Sequence, residues 1–160
     1  GIWSRFVKSL NFEVFTSEIS INRKKFINNN AVKIIEDLDN TKQTFDIIYS
    51  EQTFEHLNCP KETLNLFYKK LNKNGLIYLK FPNSYNFKKR LLKNYIPTKD
   101  AVHPLEHINL FNIKSFKSMS NNLNISILNI DKYHNFDFKK HLRIMRNSFR
   151  FEQILLKKND

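Results

Sequence analysis

The sequence predicts an α/β fold with a doubly wound sheet. Short apolar strands alternate with amphipathic helices between residues 13 and 81, a rhythm typical of right-handed crossover units. The run F-D-I-I-Y at Phe45–Tyr49 is continuously apolar apart from one aspartate, as expected of a strand buried on both faces of a parallel sheet. With 160 residues, of which 41% are hydrophobic, the chain can bury one domain core.

The first elements follow from short-range patterns. Residues Trp3–Leu10 place apolar side chains at i, i+3, i+4 and i+7, which predicts a helix. The β-branched and aromatic runs Glu13–Ile19 and Ala31–Ile35 predict two strands. Between these strands, Ser20 can cap a helix through residues 22–27.

After the strand Phe45–Tyr49, the pattern predicts a turn or short helix over Thr53–Leu57. Pro60 suits the first turn of a longer helix, whose apolar face extends to Leu71. The pair Asn74-Gly75 predicts the turn into the next strand, Leu76–Phe81.

The remaining residues begin with a long connection, 84–104, which is basic and aromatic and is predicted to be a loop or lid. Asn112 can then cap a helix that extends to about Leu123, and Ile125–Ile130 predicts a strand. Apolar spacing over 138–149 predicts one more helix, and Phe151–Leu156 predicts a final strand.

Composition excludes several classes of protein. Cys59 is the only cysteine, so a disulfide framework and a cysteine-rich zinc site are excluded, and a cytoplasmic location is expected. No apolar run approaches the ~18 residues that a membrane span needs, and no signal-peptide pattern opens the chain.

The net charge of +12 is concentrated in the second part of the chain. Residues 61–160 hold 20 Lys and Arg against 7 Asp and Glu, whereas residues 1–60 are nearly balanced. Such a basic half can indicate nucleic acid or another anionic partner. The abundance of Asn, Lys and Ile and the scarcity of Gly also indicate the codon bias of an AT-rich genome, which we favour as the explanation. A nucleic-acid partner is therefore the less favoured interpretation.

Four segments occur in an order that matches one known family. They lie at residues 1–20, 45–57 (F-D-I-I-Y-S-E-Q-T-F-E-H-L), 71–83 (L-N-K-N-G-L-I-Y-L-K-F-P-N) and 103–111 (H-P-L-E-H-I-N-L-F). In this order they resemble the class I S-adenosylmethionine-dependent methyltransferases. The turn before Leu76 has Asn74 where that family has a glycine, and asparagine tolerates the positive φ that such a turn needs.

The resemblance implies a Rossmann-like, mostly parallel sheet with an antiparallel strand near the C-terminus, a single domain over residues 1–160, and S-adenosyl-L-methionine as cofactor. Gly1 resembles the last glycine of the family's cofactor loop. We therefore expect the natural protein to extend upstream by at least a strand and a glycine-rich turn. The chain by itself is expected to fold poorly or to bind the cofactor weakly.

The resemblance also implies which residues bind the cofactor. Glu18 would accept both ribose hydroxyls through its two carboxylate oxygens, and Ile19 would pack against the adenine. Asp37 and Leu38 would contact the adenine edge, with Glu36 and Asp39 as alternatives to Asp37. The remaining contacts are expected at the methionine part of the cofactor, from Gly1, Ser50, Glu51 and Gln52.

The acceptor side is expected to contain His107 and His56 as catalytic residues. A histidine near its working pKa is the natural base for a hydroxyl or amine, and His107 is the first choice; a structural role is the alternative for His56 and its neighbour Glu55. Some methyltransferases that modify RNA or quinones hold magnesium with a Glu-His pair preceded by another Glu. Gln52 stands at that preceding position, and because losing an anionic ligand weakens a site for a hard cation, no metal is expected.

Two smaller groups are given structural roles. His103 and Glu106 lie near His107, and His103 is expected to bind backbone. The basic residues Lys88, Lys89, Arg90 and Lys93, with Phe87 and Tyr95 nearby, are expected to form a solvated face.

The expected function is methyl transfer to a small-molecule acceptor. A nucleic-acid methyltransferase or binder, and a non-catalytic methyltransferase fragment, are the alternatives. In-line transfer from a sulfonium needs orientation and exclusion of water more than a catalytic triad, so the sequence does not indicate the acceptor. The sequence does not indicate the oligomeric state either.

Overall fold

The computed structural model describes residues 2–28, 32–84, 87–93, 106–128 and 151–160. The chain divides into two compact units, Gly1–Gln43 and Thr44–Asp160.

The first unit contains two helices and a pair of short parallel strands. Their bounds are α1 Ile2–Ser9, β1 Phe15–Thr16, α2 Ile21–Asn28 and β2 Lys33–Ile34. The predicted helix at Trp3–Leu10 is confirmed, and its apolar side chains stay exposed, Trp3 by 47%.

Both predicted strands of the first unit are shorter than expected. The predicted strand Glu13–Ile19 pairs only over two residues, because the chain turns into α2 directly afterwards: the Glu18 carboxylate accepts from the Ser20 backbone N–H at 2.9 Å. Ser20 precedes α2 as predicted, and its carbonyl accepts from the Lys24 N–H.

The second unit contains the larger sheet and the remaining helices. Its elements are β3 Phe45–Glu51, a 3₁₀ turn Phe54–His56, α3 Pro60–Lys70, β4 Leu71–Pro82, α4 Phe87–Lys93, α5 Ile113–Met119, β5 Ile125–Leu128 and β6 Phe151–Lys158. The strand order is β3-β4-β6-β5. β3 is parallel to β4, and β6 is antiparallel to both β4 and β5. Three strands thus run in one direction, which confirms the predicted mostly parallel sheet with an antiparallel strand near the C-terminus.

The core of this unit lies on one face of the sheet. The expectation that the strand Phe45–Tyr49 is buried on both faces is therefore wrong: Ile47 is 59% exposed and Tyr49 is 40% exposed. Alternate residues of β4, namely Ile77, Leu79 and Phe81, are at most 1% exposed. The Phe81 ring stacks on Phe116 of α5 at 4.6 Å between ring centroids. α3 and β6 complete this core with Leu64, Ile154 and Leu156.

The α3–β4 junction corrects the predicted boundary. The helix ends at Lys70, and Leu71 already belongs to β4. The pairing of β3 with β4 shifts register between Phe45 and Ile47 and is regular from Ile47, which pairs with Leu76. Asn74 has φ 58°, so asparagine takes the left-handed conformation as predicted. A Cβ on Gly75 would lie 2.9 Å from the Asn72 carbonyl oxygen, so the close approach of two backbone segments explains the glycine.

The later elements agree with the predictions in part. α5 begins after Asn112, whose side chain accepts from the Lys114 and Ser115 N–H groups in a capping box, but the helix ends at Met119 rather than near Leu123. Within the predicted loop 84–104, residues Phe87–Lys93 form a helix. Residues 85–86, 94–105 and the predicted helix over 138–149 lie outside the described residues.

Candidate functional site

The 3₁₀ turn Phe54–His56 follows the carboxyl end of β3 and is anchored in the core. Phe54 is 2% exposed, and its ring contacts Phe67, Phe111 and Phe116 at centroid distances of 5.4–6.4 Å. Because a buried aromatic ring holds the first residue of the turn, Glu55 and His56 are presented from a fixed backbone.

The segment after the long connection docks onto this turn through hydrogen bonds. The backbone N–H groups of Ile108 and Asn109 donate to the Glu55 carbonyl at 3.0 and 3.1 Å. The Asn109 side-chain amide donates to the Leu57 carbonyl at 2.6 Å. These bonds bring His107 beside His56, with 5.0 Å between the ring centroids.

Glu55 is a buried carboxylate with an unusual environment. Its side chain is 2% exposed, and neither carboxylate oxygen has a hydrogen-bond partner in the structure. Burial raises the pKa of Glu55. The backbone N–H of Glu55 itself and, more weakly, the charges of His56 and His107 oppose this effect only in part.

The orientation of His56 follows from one contact. Its Nδ1 lies 2.7 Å from the backbone carbonyl oxygen of Glu106. Because a carbonyl can only accept, Nδ1 must carry the proton, and in the neutral ring Nε2 keeps its lone pair. Nε2 lies 4.0 Å from Glu55 Oε1. Glu55, His56 and His107 each offer a ligand atom, and these three atoms lie within 4.8 Å of one another.

The carboxyl end of β3 holds the other predicted residues of this unit. Ser50 is 9% exposed, and the Glu51 carboxylate accepts from Lys80 Nζ and from the Tyr49 hydroxyl. Burial raises the pKa of Glu51, but these two hydrogen bonds outweigh it and hold the pKa below its ordinary value. Gln52 has φ 49°, and its N–H donates to the Lys80 carbonyl at 2.8 Å.

Two stacked tyrosines adjoin Glu51 on the same strands. The Tyr49 and Tyr78 rings lie 5.1 Å apart with 2° between their planes. Burial raises the pKa of Tyr78 to about 12, with a contribution from the Glu51 charge, and raises the pKa of Tyr49 further.

Sequence reasoning missed Tyr49, Tyr78, Lys80 and Asn109 as parts of these clusters. One signal was available: Tyr49-x-Glu51 and Tyr78-x-Lys80 have the same spacing on consecutive strands. When the two strands pair in parallel, this spacing places Tyr49 beside Tyr78 and Glu51 beside Lys80, as observed in the structure. Asn109 had no comparable signal, because its partners are backbone carbonyls more than 50 residues away.

In the first unit, the predicted Glu18 and Ile19 follow β1. The Glu18 carboxylate accepts from Ser20 and lies 3.7 Å from Arg23 Nη1, with 18% of its side chain exposed. Ile19 is 94% exposed.

The predicted adenine-contact residues follow β2. The Asp37 carboxylate accepts from the Asp39 N–H and from the Asn40 side chain, so it closes a local turn. Glu36, one of its two alternatives, forms an ion pair with Lys24. Leu38 is half-buried in this turn. Two other sequence-predicted residues, Gly1 and His103, lie outside the described residues.

A family model described as a methyltransferase domain matches residues 1–129. The chain belongs to this methyltransferase family. S-adenosylmethionine is therefore the methyl donor, and the resemblance inferred from four sequence segments is confirmed. A search of curated proteins finds no match in sequence.

Solved structures of methyltransferases share the fold. The plantazolicin methyltransferase BpumL, in complex with a pentazolic desmethylPZN analog and SAH, superposes with a TM-score of 0.72 at 14% identity, covering 99% of this chain and 72% of that chain. A SAM-dependent methyltransferase from Archaeoglobus fulgidus gives 0.63 at 16% identity, covering 98% and 80%. A possible histamine N-methyltransferase from Thermotoga maritima gives 0.57 at 13% identity, covering 92% and 73%.

Among the helices in the described part of the chain, none combines the length and apolar character needed to cross a bilayer.

Proposed function

We propose that this methyltransferase transfers the methyl group of S-adenosylmethionine to a small-molecule acceptor. The observation that carries the proposal is the pairing of His56 with His107 beside buried Glu55, after the carboxyl end of β3. Ligands of doubly wound sheets bind outside the carboxyl ends of the strands. A compact group of two imidazoles and one carboxylate suits the activation of a single hydroxyl or amine.

The residues proposed to hold the cofactor fit its chemistry. In the first unit, exposed Ile19 offers an apolar surface for adenine, and the Glu18 carboxylate offers two acceptors for the ribose diol. In the second unit, Ser50 and Gln52 end β3, and a positive φ at a non-glycine residue is a feature that clusters at ligand sites. The cofactor supplies an electrophilic methyl group on a sulfonium sulfur.

The proposed work of the chain's own residues is to orient and deprotonate the acceptor. His56 donates from Nδ1 to a backbone carbonyl, which leaves its other nitrogen available for a proton. His107 lies beside it on a segment held by hydrogen bonds to the same turn. Two proteins of similar fold support a small acceptor, since one was crystallised with a pentazolic desmethylPZN analog and one is described as a possible histamine N-methyltransferase.

Methyl transfer from labelled S-adenosylmethionine tests the proposal. The acceptors would be a panel of phenols, alkyl amines, imidazoles and short azole peptides, with total RNA as a competing class. The proposal predicts label in at least one small-molecule class and none in RNA. Label found only in RNA would overturn the small-molecule acceptor while leaving the methyltransferase family intact.

A second candidate, RNA methylation, is favoured by one observation. Residues 61–160 carry 20 basic against 7 acidic side chains. Binding that depends on phosphate contacts weakens steeply as salt rises. Measurable RNA affinity at low salt that falls steeply with added salt would favour this candidate.

A further inference from the structure

We propose that Glu55, His56 and His107 form a binding site for one divalent transition-metal ion of the zinc class. This inference goes beyond methyl transfer, because binding of the ion does not require an acceptor. It also departs from the sequence-based expectation that the chain holds no metal.

The first argument is the state of Glu55. An ionised carboxylate is costly to bury unless it is paired or coordinates a metal. Glu55 is 2% exposed, and among the residues that the structure describes neither of its carboxylate oxygens has a hydrogen-bond partner, although the backbone around it is held by hydrogen bonds. A cation between Glu55 and the two imidazoles would supply the missing partner.

The second argument is the orientation of His56. Histidine ligands typically donate their other ring N–H to a carbonyl or carboxylate, which fixes the tautomer and aims the free lone pair. The contact of His56 Nδ1 with the Glu106 carbonyl at 2.7 Å has this form. The lone pair of Nε2 remains, and Nε2 lies 4.0 Å from Glu55 Oε1.

The third argument is the donor set. Two imidazoles and one carboxylate suit zinc or another transition metal, whereas magnesium prefers oxygen ligands. The absence of an acidic side chain at Gln52 therefore does not weaken the site for such a metal. Three protein ligands leave one position open for water or, if the proposed function holds, for an acceptor oxygen or nitrogen.

The geometry requires only side-chain adjustment. Zinc bonds to nitrogen and oxygen measure about 2.0–2.2 Å, so tetrahedral ligand atoms lie about 3.3 Å apart. The three ligand atoms now lie within 4.8 Å of one another. Glu55 Oε1 and His56 Nε2 are 4.0 Å apart, so metal binding would require the Glu55 and His107 side chains to move toward His56, whose ring is held by the Glu106 carbonyl.

Calorimetry with zinc alone, on the full chain without an affinity tag, tests the site. The expected result is one saturable site, weakened by roughly tenfold or more in each of Glu55→Gln, His56→Ala and His107→Ala. Cobalt should bind the same site and give visible absorption bands that the three variants lose. Magnesium should bind more weakly than zinc.

Two controls make the outcome decisive. Cys59 is exposed and offers a zinc-binding thiol, so Cys59→Ser must leave the affinity unchanged. Glu55→Gln removes an unpartnered buried charge, so this variant should lose metal binding while its metal-free thermal midpoint stays equal or rises, which separates loss of the site from misfolding. No saturable binding, binding unchanged in the cluster variants, or binding abolished by Cys59→Ser would overturn the proposal. Binding of S-adenosylhomocysteine, measured in parallel, tests the proposed function separately.

Discussion

At the residue scale, two glutamates four positions apart show how the hydrogen bonds around a carboxylate change its pKa. Glu55 keeps two unpartnered oxygens in a buried position, whereas the Glu51 carboxylate, four residues earlier, accepts from Lys80 and Tyr49. The same side chain type therefore has its pKa raised at residue 55 and lowered at residue 51. The surroundings of each carboxylate, rather than its residue type, decide the direction of its pKa shift.

His107→Ala is expected to lower turnover by about 10²-fold or more, with S-adenosylhomocysteine affinity nearly unchanged. The reason is that His107 is proposed to act on the acceptor, as a proton acceptor or through a bound metal. Steady-state rates together with calorimetry measure the two effects. Weakened cofactor binding with unchanged turnover would reverse the assignment.

Glu18→Ala is expected to weaken cofactor binding more than Glu51→Ala does. Losing charged hydrogen bonds to the ribose diol should cost about 1.5–3 kcal/mol, whereas the Glu51 carboxylate is committed to Lys80. Glu18 also accepts from the Ser20 N–H, so Glu18→Gln, which keeps an acceptor there, controls for the local turn. Calorimetry with S-adenosylhomocysteine measures all three variants. Equal affinity in wild type and Glu18→Ala would remove Glu18 from the site.

The two stacked tyrosines are expected to titrate late. The chain has six tyrosines, and burial raises the pKa of Tyr78 to about 12 and that of Tyr49 further. Because both are raised above the unfolded value near 10, their contribution to stability is present below that value and is lost at higher pH. Ultraviolet titration of tyrosinate should show two residues still protonated when an exposed tyrosine has ionised, and one fewer in Tyr78→Phe. Six equivalent transitions near pH 10 would contradict the stacked pair.

At the element scale, the α3–β4 junction depends on two adjacent residues with different requirements. Asn74 must adopt φ 58°, and Gly75 must leave room for the backbone at Asn72 and Asp46. The first requirement is conformational and the second is steric, so substitutions at the two positions are expected to differ in effect.

Gly75→Ala is expected to destabilise the protein by about 1–3 kcal/mol, because the new Cβ would lie 2.9 Å from the Asn72 carbonyl oxygen. Asn74→Gly is the matched control, since glycine adopts positive φ without strain. The control should change the free energy of unfolding by less than about 0.5 kcal/mol. Denaturant unfolding checks both variants, and equal stabilities would contradict the steric account.

At the scale of the whole molecule, β6 (Phe151–Lys158) supplies an interior strand of the larger sheet. β6 lies between β4 and β5 and is hydrogen-bonded to both. Lys158 Nζ also donates to the Tyr68 carbonyl of α3 at 3.3 Å and to the Leu71 carbonyl at the start of β4 at 2.9 Å, which links β6 to the α3–β4 junction. The family match ends at residue 129, so the interior strand of the sheet comes from sequence that the family pattern does not reach.

Ile154→Ala is therefore expected to destabilise the second unit by about 2–5 kcal/mol, as large-to-small core substitutions do. Ile154 is 1% exposed and pairs with Leu79 across the sheet. Gln153→Ala, at the preceding position on the opposite face, should cost less than about 1 kcal/mol. If denaturant midpoints of the two variants coincide, β6 does not carry the core as described.

The fold class, the family and the chemistry available at each position could be predicted from the amino-acid sequence. β3, β4, the cap at Asn112 and the left-handed Asn74 were predictable, because each depends on residues adjacent in the chain. The helix Phe87–Lys93 and the end of α3 at Lys70 were not predictable, because the residues at these positions carry no strong local signal. For the candidate site, His56 and His107 could be named from the sequence as polar residues of the right type.

The way in which those residues meet follows from long-range packing and could not be predicted from the sequence. The 5.0 Å approach of His56 to His107 spans 51 positions and depends on Asn109 and backbone hydrogen bonds between distant segments. The burial of Glu55 without a partner depends on the Phe54 anchor and the segment docked over it. Local pattern encodes backbone conformation and side-chain chemistry, whereas burial and proximity arise from long-range packing, which no local pattern contains.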